Sequence, residues 1–305
     1  MKLLRLRKKE EREKRLREIL KRVRRIDITT RRYVQEIFSG QYHSVFRGRG
    51  IEFSEVREYQ PGDDVRTIDW NVTARMGRTY VKVFEEEREL TVLIAADMSR
   101  SAAFGTRNEL KREIAVEISA LLAFSAIQNN DLVGLLMFTD RVEKFIPPKK
   151  GKQHILRIIR ELLAYEPSHP NTDIAAALNY LQRILKRSAI VFLISDFLDG
   201  DLKKPLALTA KRHDLIPIVV SDPAEWNLEG AGVLVLEDAE TGELIAVDTS
   251  DKMVVNEFKA RAQKEFEAQK KLFASVGIDA IYVRTDEDYV KSLQRFFRQR
   301  AQRFR

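Results

Sequence analysis

The spacing of apolar residues changes along the chain, and from residue 90 onward two patterns alternate. Nearly continuous apolar runs occupy 90–96, 132–138, 189–195 and 215–220. Such runs are typical of strands that are buried on both faces of a parallel sheet. Between the runs, apolar residues recur at the spacing of one helix face. This alternation predicts an α/β fold in which helices flank a mostly parallel sheet.

Helix and turn signals refine this prediction. The inward helix faces are Ile155, Ile158, Ile159 and Leu162 in one segment, and Ile174, Ala177, Leu178, Leu181 and Leu185 in the next. A capping box at 106–109 predicts the start of an earlier helix. A short strand over 142–146 is expected to end at two prolines. Segments 233–236 and 244–247 predict a hairpin, and a final strand precedes a final basic helix.

The chain divides into three regions by these patterns. Residues 1–40 form a basic N-terminal helical region, residues 41–88 a small β-rich segment, and residues 89–305 an α/β domain that ends in a hairpin and helices. The sequence has no internal repeat, low-complexity tract or long flexible linker. We therefore expect the three regions to pack as one body.

Composition excludes several kinds of chemistry. The 305 residues include no cysteine, which excludes disulfides, thiolate nucleophiles and cysteine-ligated zinc. The four histidines stand far apart, without the paired spacing of a zinc hydrolase. No apolar stretch is long enough to span a membrane, and the first residues lack the apolar region of a secretory signal. We expect a cytoplasmic protein.

The net charge is +8, and Lys and Arg are concentrated in residues 1–25. Two interpretations of this stretch stay open. Ion pairs such as Glu10–Lys14 are typical of a solvated helix, which Leu20 and Val23 would dock on the body. Alternatively, the stretch contacts nucleic acid or an anionic membrane surface. Aromatic residues are not interleaved with the basic run, which argues against stacking on bases.

The clearest candidate site is Asp97-x-Ser99-x-Ser101, directly after a predicted strand. In open α/β sheets, ligands bind beyond the carboxyl ends of such strands. Thr172 precedes a predicted helix and Asp196 follows another strand, so both are expected at the same sheet edge. Carboxylate and hydroxyl oxygens are hard ligands that suit Mg²⁺ or Mn²⁺. These five residues therefore form a candidate metal site.

Each of these residues also has a structural alternative. Asp and Ser are favoured in turns and caps, Thr172 stands where an ordinary helix N-cap would, and Asp196 would cap a helix that starts near Asp199. Asp97 and Asp196 could also be paired catalytic carboxylates. No nucleophile–base pair is evident beside them, so we expect a protein that is not an enzyme. A metal-dependent hydrolase stays an alternative.

In order and in strand context, these residues resemble the metal-ion-dependent adhesion site of the von Willebrand factor A fold. The resemblance implies a von Willebrand factor A-like, Rossmann-like sheet in which the metal is held directly or through water by Asp97, Ser99, Ser101, Thr172 and Asp196. It also implies one open position for a Glu or Asp from a partner protein. The threonine of that family often follows two glycines, whereas a proline and an asparagine precede it here.

Residues 48–75 narrow the resemblance. The relevant segments are Gly48-Arg49-Gly50-Ile51-Glu52-Phe53, Arg57-Glu58-Tyr59-Gln60-Pro61-Gly62-Asp63-Asp64, Ile68-Asp69-Trp70 and Ala74-Arg75. They are similar to the signature of the bacterial and archaeal family called domain of unknown function 58. Its members are often encoded beside MoxR-type AAA+ ATPases. The resemblance implies an adaptor for such an ATPase in chaperone-like remodelling.

The charged residues of this region carry a structural prediction. Their signs nearly balance, so we expect a network of ion pairs and turns that fastens 41–88 to the sheet, with Trp70 as its buried apolar anchor. The residues of this network are Asp63, Asp64, Arg66, Asp69 and Arg75. A surface that faces a partner is the alternative.

The leading functional hypothesis is a metal-dependent protein-binding module that uses Mg²⁺ or Mn²⁺. Its expected partners are a MoxR-type AAA+ ATPase and a protein that supplies a Glu or Asp ligand. The first alternative is association with nucleic acid or an anionic membrane surface through residues 1–25 and the C-terminal arginines. Peripheral membrane contact fits the sequence better than nucleic acid, and a hydrolase is the second alternative. The client and the oligomeric state stay open.

Overall fold

The computed structural model describes residues 18–30, 33–34, 45, 52–85, 89–106, 110–166, 169–228, 232–237 and 243–303. Residues 18–30 form a helix, called the N-terminal helix below. The strands are β1 (Glu52–Glu58), β2 (Tyr80–Glu85), β3 (Thr91–Asp97), β4 (Leu132–Phe138), β5 (Val142–Lys149), β6 (Ile190–Ser195), β7 (Asp214–Ser221), β8 (Val233–Glu237), β9 (Leu244–Asp248) and β10 (Ile281–Arg284). The α-helices that follow are α1 (Trp70–Met76), α2 (Lys111–Gln128), α3 (Lys152–Ala164), α4 (Ile174–Ile184), α5 (Lys203–Ala210), α6 (Lys252–Ser275) and α7 (Tyr289–Arg303).

The centre of the fold is a six-stranded sheet in the order β10-β7-β6-β3-β4-β5. Every neighbouring pair is parallel except β4 and β5, so the predicted mostly parallel sheet is confirmed. β5 runs through Pro147 and Pro148 to Lys149, which is longer than the sequence predicts. The prolines are tolerated because β5 is an edge strand, where a missing N–H need not break a hydrogen bond to a neighbour.

The central strand β3 shows why its sequence is apolar at nearly every position. Residues 92–96 are at most 1% exposed. Val92 and Ile94 belong to the core under α2, α3 and α7, whereas Leu93 and Ala95 belong to the core under α4, α5 and α6. Successive side chains of a strand point to opposite faces, so a strand covered on both sides needs apolar residues throughout.

The direction of strand addition reverses between β3 and β6. From β3 the chain adds β4 and β5 on one side, and it then crosses over to add β6, β7 and β10 on the other. Such a switch point opens a crevice at the carboxyl ends of the strands, where ligands bind. Asp97 is the last residue of β3, and Asp196 directly follows β6. Both acids therefore flank the crevice.

The N-terminal helix packs on the α2 side of the sheet. Val23 and Ile26 are buried in that core, and Arg22 pairs with Glu113 of α2 at 2.6 Å. Leu20, which the sequence places on the docking face, is half exposed instead. The described part of this helix is therefore docked on the body. The first part of the basic run lies outside the described residues.

The segment 52–85 forms a small module, called the signature module below, in which β1 pairs with β2 in antiparallel fashion and α1 lies between them in sequence. Arg57 donates to both oxygens of Asp63, at 2.8 and 2.7 Å. Asp69 caps α1 and lies 3.6 Å from Lys82. These contacts join parts of the module to each other. The prediction that Asp63 and Asp69 fasten the segment to the central sheet is therefore wrong.

Trp70 is a second correction, because 69% of its surface is exposed and it cannot be an apolar anchor. Polar contacts hold α1 instead. The Tyr80 N–H donates to the Thr73 hydroxyl at 3.0 Å, and the Asp69 carboxylate accepts from the first turn of the helix. A helix of two turns that is fixed in this way does not need to bury its aromatic ring.

The start of α2 also differs from the prediction. The helix begins at Lys111, and Glu113 accepts the Leu110 N–H at 3.3 Å. Thr106 does not cap this helix, because its N–H and hydroxyl both donate to Asp222. Residues 107–109 of the predicted capping box lie outside the described residues. In the described part of the chain, no helix is both long and apolar enough to cross a bilayer.

Candidate metal centre

Three loops meet at the switch point and carry the five residues that the sequence predicts as metal ligands. Loop 1 follows β3, loop 2 precedes α4, and loop 3 follows β6. Hydrogen bonds among the described residues join these loops, or the strand ends and helix start next to them. The three bonds run from Arg100 N–H to the Pro170 carbonyl (2.9 Å), from Ile174 N–H to Asp199 (2.8 Å) and from the Ser195 hydroxyl to Asp97 (2.7 Å). The structure therefore brings the three loops together.

Asp97 is deeply buried in this crevice, with 4% of its surface exposed. One carboxylate oxygen accepts the Ser99 N–H at 2.8 Å, and the other accepts the Ser195 hydroxyl at 2.7 Å. Burial, and next the negative charge of Asp196, raise the pKa of Asp97 to about 6 from an ordinary 3.8, although the bonds from Ser195 and Ser99 oppose the rise. Asp97 is therefore an acid whose charge its surroundings compensate poorly.

Ser99 and Ser101 place two hydroxyls beside this carboxylate. Their oxygens lie 3.0 Å apart, and Ser99 is 2% exposed. Ser99 stands at the N-cap of a short 3₁₀ turn, but its hydroxyl makes no capping hydrogen bond. The backbone N–H of Ser99 does bond to Asp97, so the turn role considered for Asp97 from the sequence coexists with the site. The Ser99 hydroxyl is not used as a cap.

Thr172 lies in loop 2 and is half-buried. The N-cap of α4 is the next residue, Asp173, whose carboxylate accepts the Ala176 N–H at 2.7 Å. The capping role considered for Thr172 therefore belongs to its neighbour. Loop 2 is anchored at the same edge, because the Asp173 N–H also donates to the Thr139 carbonyl beyond β4 at 3.0 Å.

Asp196 has a partner that the sequence did not reveal. The ammonium of Lys111 lies 2.9 Å from Asp196 Oδ2 and 2.6 Å from Glu225 Oε1, and the Lys111 residue is 3% exposed. Burial disfavours the charged ammonium, but the two carboxylates outweigh that effect and the pKa of Lys111 is raised. Burial also disfavours the charged carboxylate of Glu225 and raises its pKa, although Lys111 opposes the rise. The next helix begins at Lys203, so Asp196 does not cap it, although its other oxygen accepts the Leu198 N–H at 3.4 Å.

Lys111, Glu225 and Ser195 are the residues at this edge that sequence reasoning missed. Lys111 could have been noticed, because it shares a helix face with the buried Ile114 and Ile118, three and seven positions later. A charged residue on a buried face needs a partner. Ser195 ends an apolar run and is adjacent to Asp196, which is a weaker signal. Glu225 lies in an irregular segment and gives no signal at all.

The backbone beside Asp196 is strained. Phe197 has a φ of 58°, in the left-handed region that bulky side chains rarely adopt. Its ring is held by an edge contact with Phe273 of α6, at 5.2 Å between ring centroids, and its N–H donates to the Ser195 hydroxyl at 3.2 Å. Strained residues that surrounding packing holds in place cluster at functional sites. The strain therefore marks loop 3 as a site candidate independently of its acid.

The donor set suits a hard divalent cation. It consists of two carboxylates and three hydroxyls, the oxygen ligands that Mg²⁺ and Mn²⁺ take together with water. Among the described residues there is no group of three or more His, Cys, Asp or Glu that could hold a metal. A site here would depend on its hydroxyls, and one oxygen of Asp196 is already shared with Lys111.

The sheet order and the two helical layers are those of an α/β protein with a mostly parallel sheet, as expected for a von Willebrand factor A-like fold. The family described as "Protein of unknown function DUF58" matches residues 55–268. Uncharacterized protein Mb1516 of Mycobacterium bovis is 31% identical over 277 residues, which cover 90% of this chain and 87% of that protein. The chain therefore belongs to the DUF58 family, as the segments in 48–75 predicted.

The chain is also similar to other proteins. Uncharacterized protein YeaD of Bacillus subtilis is 29% identical over 109 residues, 36% of this chain and 25% of that protein. The crystal structure of the conserved hypothetical protein BatB from Bacteroides thetaiotaomicron is 20% identical, with a TM-score of 0.43 over 70% of this chain and 99% of that chain. The SpRpn10 VWA domain is 11% identical, with a TM-score of 0.37 over 68% of this chain and 94% of that chain.

Proposed function

We propose that this protein is a metal-dependent protein-binding module. Its ion would be Mg²⁺ or Mn²⁺, and the ligands would be Asp97, Ser99, Ser101, Thr172 and Asp196. One position on the ion would take a Glu or Asp side chain from a partner protein. The observation that carries this proposal is the buried Asp97 carboxylate, which lies near a second carboxylate and has no cation among its described contacts.

A divalent cation would solve an electrostatic problem that the fold creates. Burying a charged carboxylate is costly unless it is paired or coordinates a metal. Asp97 lies at a point where two strand ends put two acids near each other, and both burial and the Asp196 charge raise its pKa. A bound dication would compensate both acids. It would also turn an acidic crevice into one that attracts a carboxylate from outside.

We propose binding rather than turnover for this site. Three of its hydroxyls have a carboxylate or another hydroxyl as partner: Ser195 donates to the Asp97 carboxylate, and the hydroxyls of Ser99 and Ser101 bond to each other. An activated nucleophile would instead need a general base such as a histidine beside its hydroxyl. The site therefore supports recognition of a partner through a bound ion better than it supports catalysis.

We propose a MoxR-type AAA+ ATPase as a partner because the family resemblance implies one. In that case the protein is an adaptor, and the ATPase or a client that it remodels supplies the acidic side chain. The metal site then makes the association reversible, because the contact is a single coordination bond supported by the surrounding surface.

The test is a binding measurement with the MoxR-type ATPase of the same organism, in Mg²⁺ and in EDTA. We expect Asp97→Ala to weaken Mg²⁺-dependent binding by about 100-fold or more while the fold survives, since an interaction of this strength contributes a few kcal/mol. Asp140→Ala is the matched control, because Asp140 lies at the same sheet edge but pairs with Arg141 at 2.9 Å. Equal affinity in Mg²⁺ and EDTA would contradict the proposal.

A second candidate function is favoured by the charges on α7. Lys291, Arg295 and Arg298 line a shallow groove of about 400 Å³ together with three glutamines. Arg300 and Arg303 of the same helix pair with Asp214 and Asp279. The groove therefore offers positive charge to an anionic surface, as the basic C-terminus suggested.

The apolar face of α7 limits what this groove can bind. Val290, Leu293, Phe296 and Phe297 are buried in the core, so the helix cannot insert into a bilayer and would adsorb through charge alone. Binding to anionic vesicles should then fall steeply with salt and disappear in Arg295→Glu/Arg298→Glu, while Mg²⁺ binding stays intact. Salt-independent binding would exclude this function.

A further inference from the structure

Lys111 places a fixed positive charge directly behind the candidate metal site. It is the first residue of α2, and its ammonium reaches across to loop 3. Lysine is almost never fully buried unless it is paired. Its side chain here is 4% exposed and touches two acids, of which Asp196 is a proposed metal ligand and Glu225 is not.

A rigid set of hydrogen bonds holds this ammonium in place from the far side. The Asp222 N–H donates to Glu225 Oε2 at 2.9 Å, while Glu225 Oε1 accepts from Lys111. Asp222 in turn accepts from Thr106 and Thr285, which belong to the segment before α2 and the end of β10. Through Glu225 and Asp222, Lys111 is therefore attached to the carboxyl ends of β7 and β10.

We propose that Lys111 is an internal counter-cation of the candidate metal site, which holds the Asp196 carboxylate in place without an ion and weakens the binding of a divalent ion. The inference rests on the proposed metal site. Lys111 is a positioning residue, because it contacts Asp196 rather than the ion. Its charge substitutes in part for the ion, so the cage keeps its shape when the site is empty.

Two opposite effects follow from this arrangement. Without Lys111, the three acids Asp97, Asp196 and Glu225 would have no cation among their described contacts, and the ion-free protein would lose stability. The same excess of negative charge would attract a dication more strongly. Removing a lysine that only supported the fold would lower stability and leave ion affinity unchanged or reduce it. Ion affinity therefore separates the two roles.

The experiment measures Mg²⁺ and Mn²⁺ binding by titration calorimetry, and the melting temperature in EDTA, for the full chain. We expect Lys111→Met to melt lower in EDTA and to bind either ion at least tenfold more tightly than the wild type. Lys111→Arg keeps the charge and should stay within threefold of the wild type. The control is Lys144→Met, since Lys144 pairs with Glu161 away from the site and should leave affinity unchanged.

Glu225→Gln also tests the counter-cation role of Lys111, but here we expect ion affinity to fall. This variant decides between the two roles of Lys111 if Lys111→Met fails to fold. It removes one acid from the ammonium, so Lys111 compensates Asp196 more fully and ion affinity should fall several-fold. Unchanged or tighter binding in Glu225→Gln would overturn the inference, as would unchanged or weaker binding in a folded Lys111→Met. In both cases the metal site itself would stand. A wild type that binds neither ion would overturn the metal site and this inference together.

Discussion

Asp97 and Asp222 are two buried aspartates at the same edge of the sheet, and their surroundings differ in kind. Asp97 is 4% exposed at the end of β3, and Asp222 is 0% exposed just after β7. Asp222 accepts four hydrogen bonds, from the N–H and hydroxyl of Thr106, the hydroxyl of Thr285 and the Ala224 N–H. Asp97 accepts bonds from Ser99 and Ser195 and lies near Asp196.

The pKa values of the two acids move in opposite directions for this reason. Burial raises the pKa of Asp222, but its hydrogen-bond donors outweigh burial and the net shift is downward. Burial and the charge of Asp196 raise the pKa of Asp97 to about 6. Burial therefore does not by itself distinguish a structural acid from a candidate ligand. A carboxylate that accepts hydrogen bonds from several donors, such as Asp222, holds neighbouring segments together. A carboxylate whose charge is poorly compensated, such as Asp97, is available to a cation.

The largest expected effect comes from removing the structural acid. Asp222→Ala leaves the donors of Thr106, Thr285 and Ala224 buried without an acceptor, so we expect the free energy of unfolding to fall by about 3–4 kcal/mol. Urea denaturation followed by circular dichroism measures this loss. Asp279→Ala is the control, because its ion pair with Arg303 is exposed and should cost less than about 1 kcal/mol. Similar losses of unfolding free energy in both variants would show that Asp222 stabilises the fold no more than an exposed ion pair does.

In contrast, Asp97→Asn should raise the free energy of unfolding when no metal is present. A shift of the Asp97 pKa from 3.8 to about 6 corresponds to about 3 kcal/mol that the charged form costs the fold above pH 6. We therefore expect the variant, in EDTA at pH 8, to unfold with a free energy about 2–3 kcal/mol higher than the wild type. A loss as large as that of Asp222→Ala would show that Asp97 is structural too.

The pH dependence of the same measurement separates charge from packing. Between pH 4 and 6 the folded state holds the Asp97 proton more tightly than the unfolded state does, so this residue's contribution to stability falls as pH rises. Asp222 behaves in the reverse way, and its contribution is lost as pH falls below 4. The advantage of Asp97→Asn should accordingly vanish near pH 4. A constant advantage across this range would point to packing instead.

The smallest expected effect concerns Thr172, a proposed ligand that carries no charge and lies at the same site as Asp97. Thr172→Val keeps the shape of the side chain and removes one hydroxyl, so Mg²⁺ affinity should fall by about fivefold, or roughly 1 kcal/mol. Calorimetric titration measures the change. Thr67→Val is the matched control, because the Thr67 hydroxyl donates to the Asp64 carbonyl in the signature module. Unchanged affinity in Thr172→Val would remove Thr172 from the ligand set.

Much of this site's position followed from local patterns. Continuous apolar runs identified the buried strands, and the carboxyl ends of parallel strands must meet at one edge. Asp97, Ser99 and Ser101 could be placed there because they directly follow such a run. The DUF58 signature was also local, since its segments lie within 28 consecutive positions from Gly48 to Arg75.

What the sequence by itself determined is most of the helices and strands of the α/β domain, the sheet class and the strand ends where polar residues gather. Only the tertiary structure decided which charges meet there. Lys111 and Glu225 are 114 positions apart, and Thr106 and Asp222 are 116 positions apart, so no local periodicity records either contact. Trp70 was misassigned for the same reason, because a large apolar residue is buried only where the fold brings something to cover it. Local patterns depend on backbone geometry, which is fixed within a few residues, whereas the compensation of a buried charge depends on neighbours from distant parts of the chain.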